Sequence, residues 1–310
     1  MTTIHSQTNA GQANAIAEVT RQTLSDPALT RRSPGEEFAW AVARDGDGGD
    51  VTVPIRGYLP SAFPLFATRP RYTVRHLLKV ASVSDRPTAY VWEAPQPGMD
   101  VPGHTYASTP ESGFGPSVQH AELTDLVVEV PLPKGLLGEP ALLAAFVDYR
   151  VLVRMGVVEN ESLLHGTADG RIGGLLTLPD IRTGVLGEDV GASLTAAAAR
   201  VEDTGGSCDG IVAHPELYWR LVRDGTLARL NEVGIRVART RMMPRGKALL
   251  GDFRAAVTLL DPGESALTLR RNAGPGGEDV VRASARVGLA VHLPQHFLLL
   301  SPPGEEDERG

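Results

Sequence analysis

The chain has 310 residues, of which 42% are hydrophobic and 22% are charged, so a disordered or fibrous protein is excluded. Thirty basic residues against thirty-seven acidic ones leave a net charge of −7, which is not the balance of a dedicated nucleic-acid binder. No run of eighteen apolar residues predicts a membrane span, and the lone cysteine, Cys208, excludes an internal disulfide. The first residues lack a signal-peptide pattern, which predicts a soluble, cytoplasmic protein. At about 150 residues per domain, the length predicts two domains or one elaborate one.

Residues 1–50 predict an N-terminal arm, because they carry too little apolar material to bury a core of their own. Residues 10–24 predict one amphipathic helix. A connector rich in proline and arginine follows at 26–35, and a glycine-rich turn at 45–50. The aspartates of that turn imitate the start of a calcium loop, but the glycine and glutamate that complete such a loop are missing.

The next part of the chain is predicted to be extended. Alternating and β-branched residues predict four strands, at 51–55, 74–80, 88–92 and 123–131. Residues 94–117 are crowded with Pro, Gly, Ser and Thr, and a loop of this length is uncommon inside a compact domain. We therefore expect a functional loop, or a segment that is ordered by a partner.

Residues 139–165 predict one long helix, since apolar residues recur there at helical spacing. An unbroken helix of this length would measure about 40 Å, more than the core of a small domain. Asp148 and Glu159 are among the charged residues predicted to take the polar side, and Gly156 is a candidate for a kink. A glycine-punctuated turn follows at 166–174, and it lacks the lysine of a phosphate-binding loop.

Beyond residue 175 the chain alternates between helix and strand. The pattern predicts helices at 188–201 and 215–222 and strands at 210–213, 234–238 and 248–251. Residues 253–301 are predicted to be all-β, and the acidic tail at 304–310 is predicted to fray.

The sequence contains no convincing group of catalytic residues. Cys208 and His214 are six residues apart, but a Cys/His dyad needs a thiolate beside an oriented imidazole, and a cysteine without a catalytic role is far commoner. His292 and His296 are four residues apart, but a proline between them breaks the helical geometry of a shared metal site. The sequence thus predicts no enzyme, no cofactor and no metal site.

One charge anomaly lies between Arg220 and Lys247. This stretch contains eight basic and two acidic residues, which gives a local charge of +6. Such a block suits a nucleic-acid or anion surface. It equally suits arginines that pair with acidic patches of neighbouring subunits. The excess of acidic residues elsewhere favours an interface or a solvated surface.

The order of these elements resembles the tailed-phage major capsid fold of the Hong Kong phage type, which bacterial encapsulins share. The resemblance runs from about residue 48 to residue 300. It depends on the acidic end of the long helix, the glycine turn after it and three later segments. These four stretches cover residues 159–176, 210–219, 243–253 and 286–297.

The resemblance implies an α+β fold with a fixed division of the chain. The implied parts are an N-terminal arm (1–50), a peripheral domain (51–174) with an extended loop (about 70–122) and a spine helix (139–165), an axial domain (175–285), closing strands (286–303) and an acidic tail (304–310).

The resemblance also implies self-assembly into a closed icosahedral shell. In the family the tip of the axial domain surrounds a symmetry axis and lines a pore. The matching loop here is Arg223, Asp224, Gly225 and Thr226.

Three functions remain open. The first is an encapsulin nanocompartment in the bacterial cytoplasm, whose shell encloses a cargo protein. The second is a prophage major capsid protein that encloses DNA, and nucleic acid is a partner only in that case. The third is a small soluble enzyme that uses Cys208 and His214. The first is favoured because only about fifty residues precede the shell region, whereas phage precursors commonly carry a long scaffolding segment there.

Overall fold

The computed structural model describes residues 32–45, 49–55, 73–84, 86–95, 114–179 and 181–304. The helix predicted at 10–24, the middle of the long loop and most of the acidic tail lie outside the described residues. The described part combines three sheets with helices that cover them.

The elements follow the chain in a mixed order. The helices are α1 (Pro34–Asp45), α2 (residues 140–165), α3 (Val190–Glu202), α4 (Pro215–Arg223) and α5 (Thr226–Glu232). The strands are β1 (Val51–Pro54), β2 (Lys79–Ser82), β3 (Thr88–Pro95), β4 (Phe114–Ala121), β5 (Thr124–Pro131), β6 (Arg182–Val185), β7 (Gly210–Ala213), β8 (Arg236–Arg239), β9 (Ala248–Gly251), β10 (Val257–Asp261), β11 (Ser265–Arg270), β12 (Val280–Val291) and β13 (Phe297–Ser301).

The largest sheet is organised around the long strand β12. Its order is β1-β11-β12-β10-β2, and β5 also pairs with β12. Residues 280–287 of β12 pair with β5 on one side, and residues 280–285 pair with β11 on the other. The end of β12 then pairs with β10. Buried residues alternate along β5, because one face of this sheet packs on the main core.

Helix α2 confirms the long helix predicted from the spacing of apolar residues. Its regular parts, Pro140–Phe146 and Leu152–His165, are joined by a π-helical turn at Val147–Val151. The irregularity therefore lies at this turn and not at Gly156, where the kink was predicted. The turn buries Val147 and Val151 completely, and it buries Asp148, whose Oδ1 accepts a hydrogen bond from the Gly35 N–H at 2.8 Å.

Helix α1 shows that part of the segment predicted as an N-terminal arm contributes to the main core. Phe38, Ala39 and Val42 are buried in the main core, and α1 packs on α2. A capping box starts the helix: the Glu36 N–H donates to Ser33 Oγ at 3.0 Å, and the Ser33 N–H donates to Glu36 Oε2 at 2.8 Å. The residues Ser33 to Glu36 carried this signal, but the proline and arginines around them were interpreted as a connector.

The second sheet has the order β6-β13-β9-β7-β8 and its own hydrophobic cluster. Its central strands β7 and β9 are buried along their whole length, as expected for strands covered on both faces. The expected axial domain, 175–285, spans both sheets, because β10, β11 and β12 pair in the first one. The closing strands are divided in the same way, since β12 belongs to the first sheet and β13 to the second.

Some elements differ from the predictions. The strand predicted at 74–80 is a 3-10 turn, Val74–His76, followed by the shorter β2. Strands β4 and β6 and helix α5 were not predicted. Strand β4 overlaps the segment that the sequence predicts to be a long loop. The loop was predicted because glycine and proline, which are typical of loops, occur in this strand.

Candidate assembly surfaces and pore loop

Strands β3 and β4 form a separate two-stranded hairpin. Their pairing runs from Thr88 opposite Ala121 to Pro95 opposite Phe114. Val91 and Val118 are direct cross-strand partners, so they share one face, and they are 53% and 66% exposed. Tyr90, the residue next to Val91, packs on a small core of the subunit, so Val91 and Val118 lie on the outer face of the ribbon.

Strand β3 of the hairpin is held to the rest of the subunit by His292. The Glu93 N–H donates to the His292 carbonyl at 2.8 Å. The imidazole donates from Nδ1 to the Val91 carbonyl at 3.2 Å, because a carbonyl only accepts, and Nε2 lies 3.0 Å from Thr258 Oγ1. The ring of Tyr90 packs edge-on against His292, with 5.4 Å between centroids. His292 is therefore an anchor of the hairpin.

The segment that enters the hairpin, residues 73–78 ahead of β2, is tied to α2 by a buried polar cluster. Arg75 donates from Nε to Glu159 Oε1 and from Nη1 to Asp261 Oδ2, both at 2.9 Å. The Val74 N–H donates to Asn160 Oδ1 at 2.8 Å. The prediction that Glu159 takes the polar side of the helix is wrong, since its side chain is buried with its partner arginine.

The outer side of α2 carries a second apolar surface. Leu142, Tyr149 and Val153, which are seven and four residues apart, are exposed. On the neighbouring α1, the exposed ring of Trp40 is stacked between the guanidinium groups of Arg32 and Arg44, at 4.9 and 4.7 Å from its centroid. Exposed large apolar side chains of this kind mark interaction surfaces when they cluster.

The predicted pore loop connects α4 to α5. Arg223 and Asp224 are exposed, and Arg223 Nε pairs with Asp224 Oδ1 at 2.9 Å. This hydrogen bond lowers the pKa of Asp224. Gly225 takes the left-handed conformation, with φ 71°, that the tight turn requires. Thr226 is buried and its hydroxyl accepts a hydrogen bond from Arg229, so its side chain serves the turn.

Several arginines of the block between Arg220 and Lys247 have partners within the chain. Arg220 donates to the Glu188 carbonyl, and Arg245 pairs with Glu216 at 3.4 Å. The guanidinium of Arg239 stacks on the rings of Tyr218 and Trp219. These three arginines are thus held by contacts within the chain, and the carboxylate of Glu216 offsets the charge of Arg245.

Cys208 and His214 do not form a catalytic pair. Cys208 is buried, and this burial, together with Asp209 and Glu202, raises the pKa of its thiol to about 12. A nucleophile needs the opposite shift. His214 caps α4, since its Nδ1 accepts the Glu216 N–H at 3.2 Å.

Within the described part of the chain, no group of three or more His, Cys, Asp or Glu side chains is arranged to hold a metal ion. No helix there has both the length and the apolar character needed to cross a bilayer.

No protein-family model matches this sequence, and no curated protein matches it. Solved structures do match. The virus-like particle from Pyrococcus furiosus is 13% identical, with a TM-score of 0.51 over 79% of this chain and 97% of that one. A chain of Mycobacterium phage Bobi is 15% identical, with a TM-score of 0.54 over 76% and 91%. The capsid chain of a native GTA particle is 15% identical, with a TM-score of 0.51 over 75% and 96%.

These similarities show the structural class of the chain, which has the fold of capsid and virus-like-particle subunits. The particular fold is the α+β tailed-phage major capsid fold of the Hong Kong phage type, which the four sequence segments predicted. At these identities the likeness concerns the fold alone.

The sequence predicts the long helix and the turn that closes α4, but it does not predict the polar residues that tie the segment at 73–78 to α2. Arg75 stands in a predicted strand, and Asn160 and Glu159 stand in a polar run at the end of a helix. The sequence marks these residues only by a high density of polar residues near this helix end. The chain has similar polar runs at ordinary exposed positions, so the density does not distinguish them.

Proposed function

We propose that this chain is the subunit of a self-assembling, closed icosahedral shell. The observation that carries the proposal is the β3–β4 hairpin, whose paired Val91 and Val118 are uncovered within the subunit. The capsid fold supports the same conclusion, because similar chains form a virus-like particle and a GTA capsid.

The physical argument rests on contacts between unlike surfaces. The hairpin face and the exposed side of α2 are different patches, so one copy can cover the other in a head-to-tail manner. Repeated contacts of this kind close into rings or shells when the rotation between copies closes. Many modest contacts then add through multivalency, so no single interface has to be strong.

For the content of the shell we propose a protein cargo, as in an encapsulin nanocompartment of the bacterial cytoplasm, with no catalysis by the shell itself. The net charge of −7 and the internal pairing of Arg220, Arg239 and Arg245 support protein over DNA. A DNA-enclosing surface would keep such arginines free for phosphates.

A prophage major capsid that encloses DNA is the alternative. The similarity to a chain of Mycobacterium phage Bobi, at a TM-score of 0.54, supports it. Under this alternative the nucleic acid is a partner, and particles purified from the host contain it.

For the loop between α4 and α5 we propose a pore lining. Arg223 and Asp224 supply its exposed charges and Gly225 its tight turn, and the buried Thr226 supports the turn from within.

Size-exclusion chromatography and negative-stain imaging of the purified chain test the shell. We expect a megadalton peak and closed particles of uniform diameter. A peak at tens of kDa would contradict both shell functions and favour a small soluble protein. Particles that carry a discrete co-purified protein support the cargo proposal, whereas nuclease-protected DNA supports the capsid alternative.

A further inference from the structure

A cavity of about 230 Å³ lies between the segment that enters the hairpin and the second sheet. On the side of the segment at 73–78 the cavity is lined by His76 and Leu77. On the side of the second sheet it is lined by Tyr218, Leu227 and strand β8. At about 30 Å³ per molecule, this volume equals that of about eight waters. The space therefore suits a small organic molecule better than a single ion.

The inner walls of the cavity are apolar. Leu77, Val237 and Ala238 are buried, and Leu227 is half-buried. Water that fills such a space finds few hydrogen-bond partners, so an apolar body gains by replacing it.

The outer side of the cavity is polar and positively charged. Arg236 and Asn231 line it and are exposed. Within the described part of the chain, the side chain of Arg236 has no hydrogen bond or ion pair, in contrast to Arg223 and Arg245 of the same basic block. A guanidinium beside an apolar wall is suited to bind a carboxylate through two parallel hydrogen bonds.

His76 adds a polar group at the wall formed by the hairpin segment. Its Nδ1 is hydrogen-bonded to Thr73 Oγ1, and its Nε2 is enclosed without a hydrogen-bond partner. A buried polar atom of this kind normally finds a partner in the protein or in a bound molecule.

We propose that this cavity binds a small organic monocarboxylate, with its apolar body between Leu77 and Val237 and its carboxylate on Arg236 and Asn231. The site joins the hairpin segment to the second sheet, so an occupied cavity links the two parts of the subunit. It is independent of whether the shell encloses protein or DNA.

Equilibrium dialysis of the assembled protein against benzoate tests the proposal, with benzyl alcohol and inorganic phosphate as comparison probes. We expect saturable binding of one benzoate per chain, with benzyl alcohol and phosphate each at least tenfold weaker. Arg236→Leu should weaken benzoate binding about tenfold or more. Arg241→Leu, which removes an exposed arginine outside the cavity, should leave it unchanged.

Leu227→Trp fills the cavity from its half-buried side and should also remove benzoate binding, while circular dichroism checks that the chain stays folded. Because Arg236 is exposed, its variant folds whether or not Leu227→Trp does. Absence of saturable benzoate binding to the wild-type protein, or unchanged binding by Arg236→Leu, would overturn the proposal. Equal binding of benzyl alcohol would refute the role of the carboxylate, and equal binding of phosphate would refute the role of the apolar walls.

Discussion

Arg75 and Glu159 form an ion pair that is almost completely withdrawn from solvent. Nε of the arginine lies 2.9 Å from Oε1 of the glutamate, and the side chains are 4% and 1% exposed. The residues are 84 positions apart, one in the segment that enters the hairpin and the other near the end of α2. The pair thus ties the segment at 73–78 to the end of α2.

Removing one partner of this pair should destabilise the subunit strongly. Glu159→Leu removes the carboxylate that Nε and Nη2 of Arg75 contact, and breaking a buried pair in this way costs about 3–5 kcal/mol. The double variant Arg75→Met, Glu159→Leu should lose less unfolding free energy than the two single variants lose together. Denaturant unfolding of all four proteins measures the difference.

The matched control is Arg245→Gln, which removes an exposed pair with Glu216. Because surface pairs contribute about 0–1 kcal/mol, this change should be small. Equal losses for Glu159→Leu and Arg245→Gln would show that the buried pair does not stabilise the hairpin segment.

A charge on the exposed face of the hairpin should block assembly while the subunit still folds. Val91→Lys or Val118→Lys places an ammonium where a neighbouring copy is proposed to pack, and burying an unpaired charge is costly. We expect the megadalton peak to disappear from size-exclusion chromatography, with circular dichroism unchanged. Gln119→Lys, an exposed position beside Val118 whose side chain points to the other face of the hairpin, is the control and should still assemble.

Charge changes at the loop between α4 and α5 should alter passage through the shell without preventing its formation. Arg223→Glu makes the loop acidic, so anions should enter about tenfold more slowly through an electrostatic effect. Iodide quenching of a fluorophore attached to the cargo measures the rate in stopped flow. Arg245→Glu, on a different loop, should leave the rate unchanged, and an unchanged rate for Arg223→Glu would count against a pore at this loop.

Acidification should weaken the subunit through His296. This side chain is buried, and its burial lowers its pKa below the usual value of 6.5, although Asp252 at 3.9 Å acts in the opposite sense. The unfolded chain therefore takes up a proton more readily than the folded one. The resulting stability is complete above pH 6.5 and decreases as the pH falls below it.

Unfolding free energies between pH 7 and pH 5 check this prediction. His296→Gln should reduce the slope of unfolding free energy against pH, whatever the absolute stability of the variant. His120→Gln, at an exposed position on the hairpin, is the control and should keep the wild-type slope. His76, whose pKa burial also lowers, contributes in the same direction and accounts for a residual slope. The idea fails for His296 if its variant retains the full slope.

The sequence by itself determined the parts of the fold that depend on local patterns. Helical spacing of apolar residues marked α2 from 139 to 165, and buried runs such as Ile211 to Ala213 marked the central strands of the second sheet. The four segments predicted the capsid fold through their resemblance, taken in order, to that family. The turn that closes α4 at Arg223 to Gly225 is marked by a local pattern as well.

The tertiary structure alone decided which surfaces meet. Periodicity cannot show that Glu159 is buried, because its partner Arg75 is 84 residues away and the ion pair exists only after the chain has folded. The division between the sheets was equally hidden, since β12 and β13 are neighbours in the chain but pair in different sheets. Long-range pairings of this kind depend on how distant segments share a core, and no local pattern encodes that.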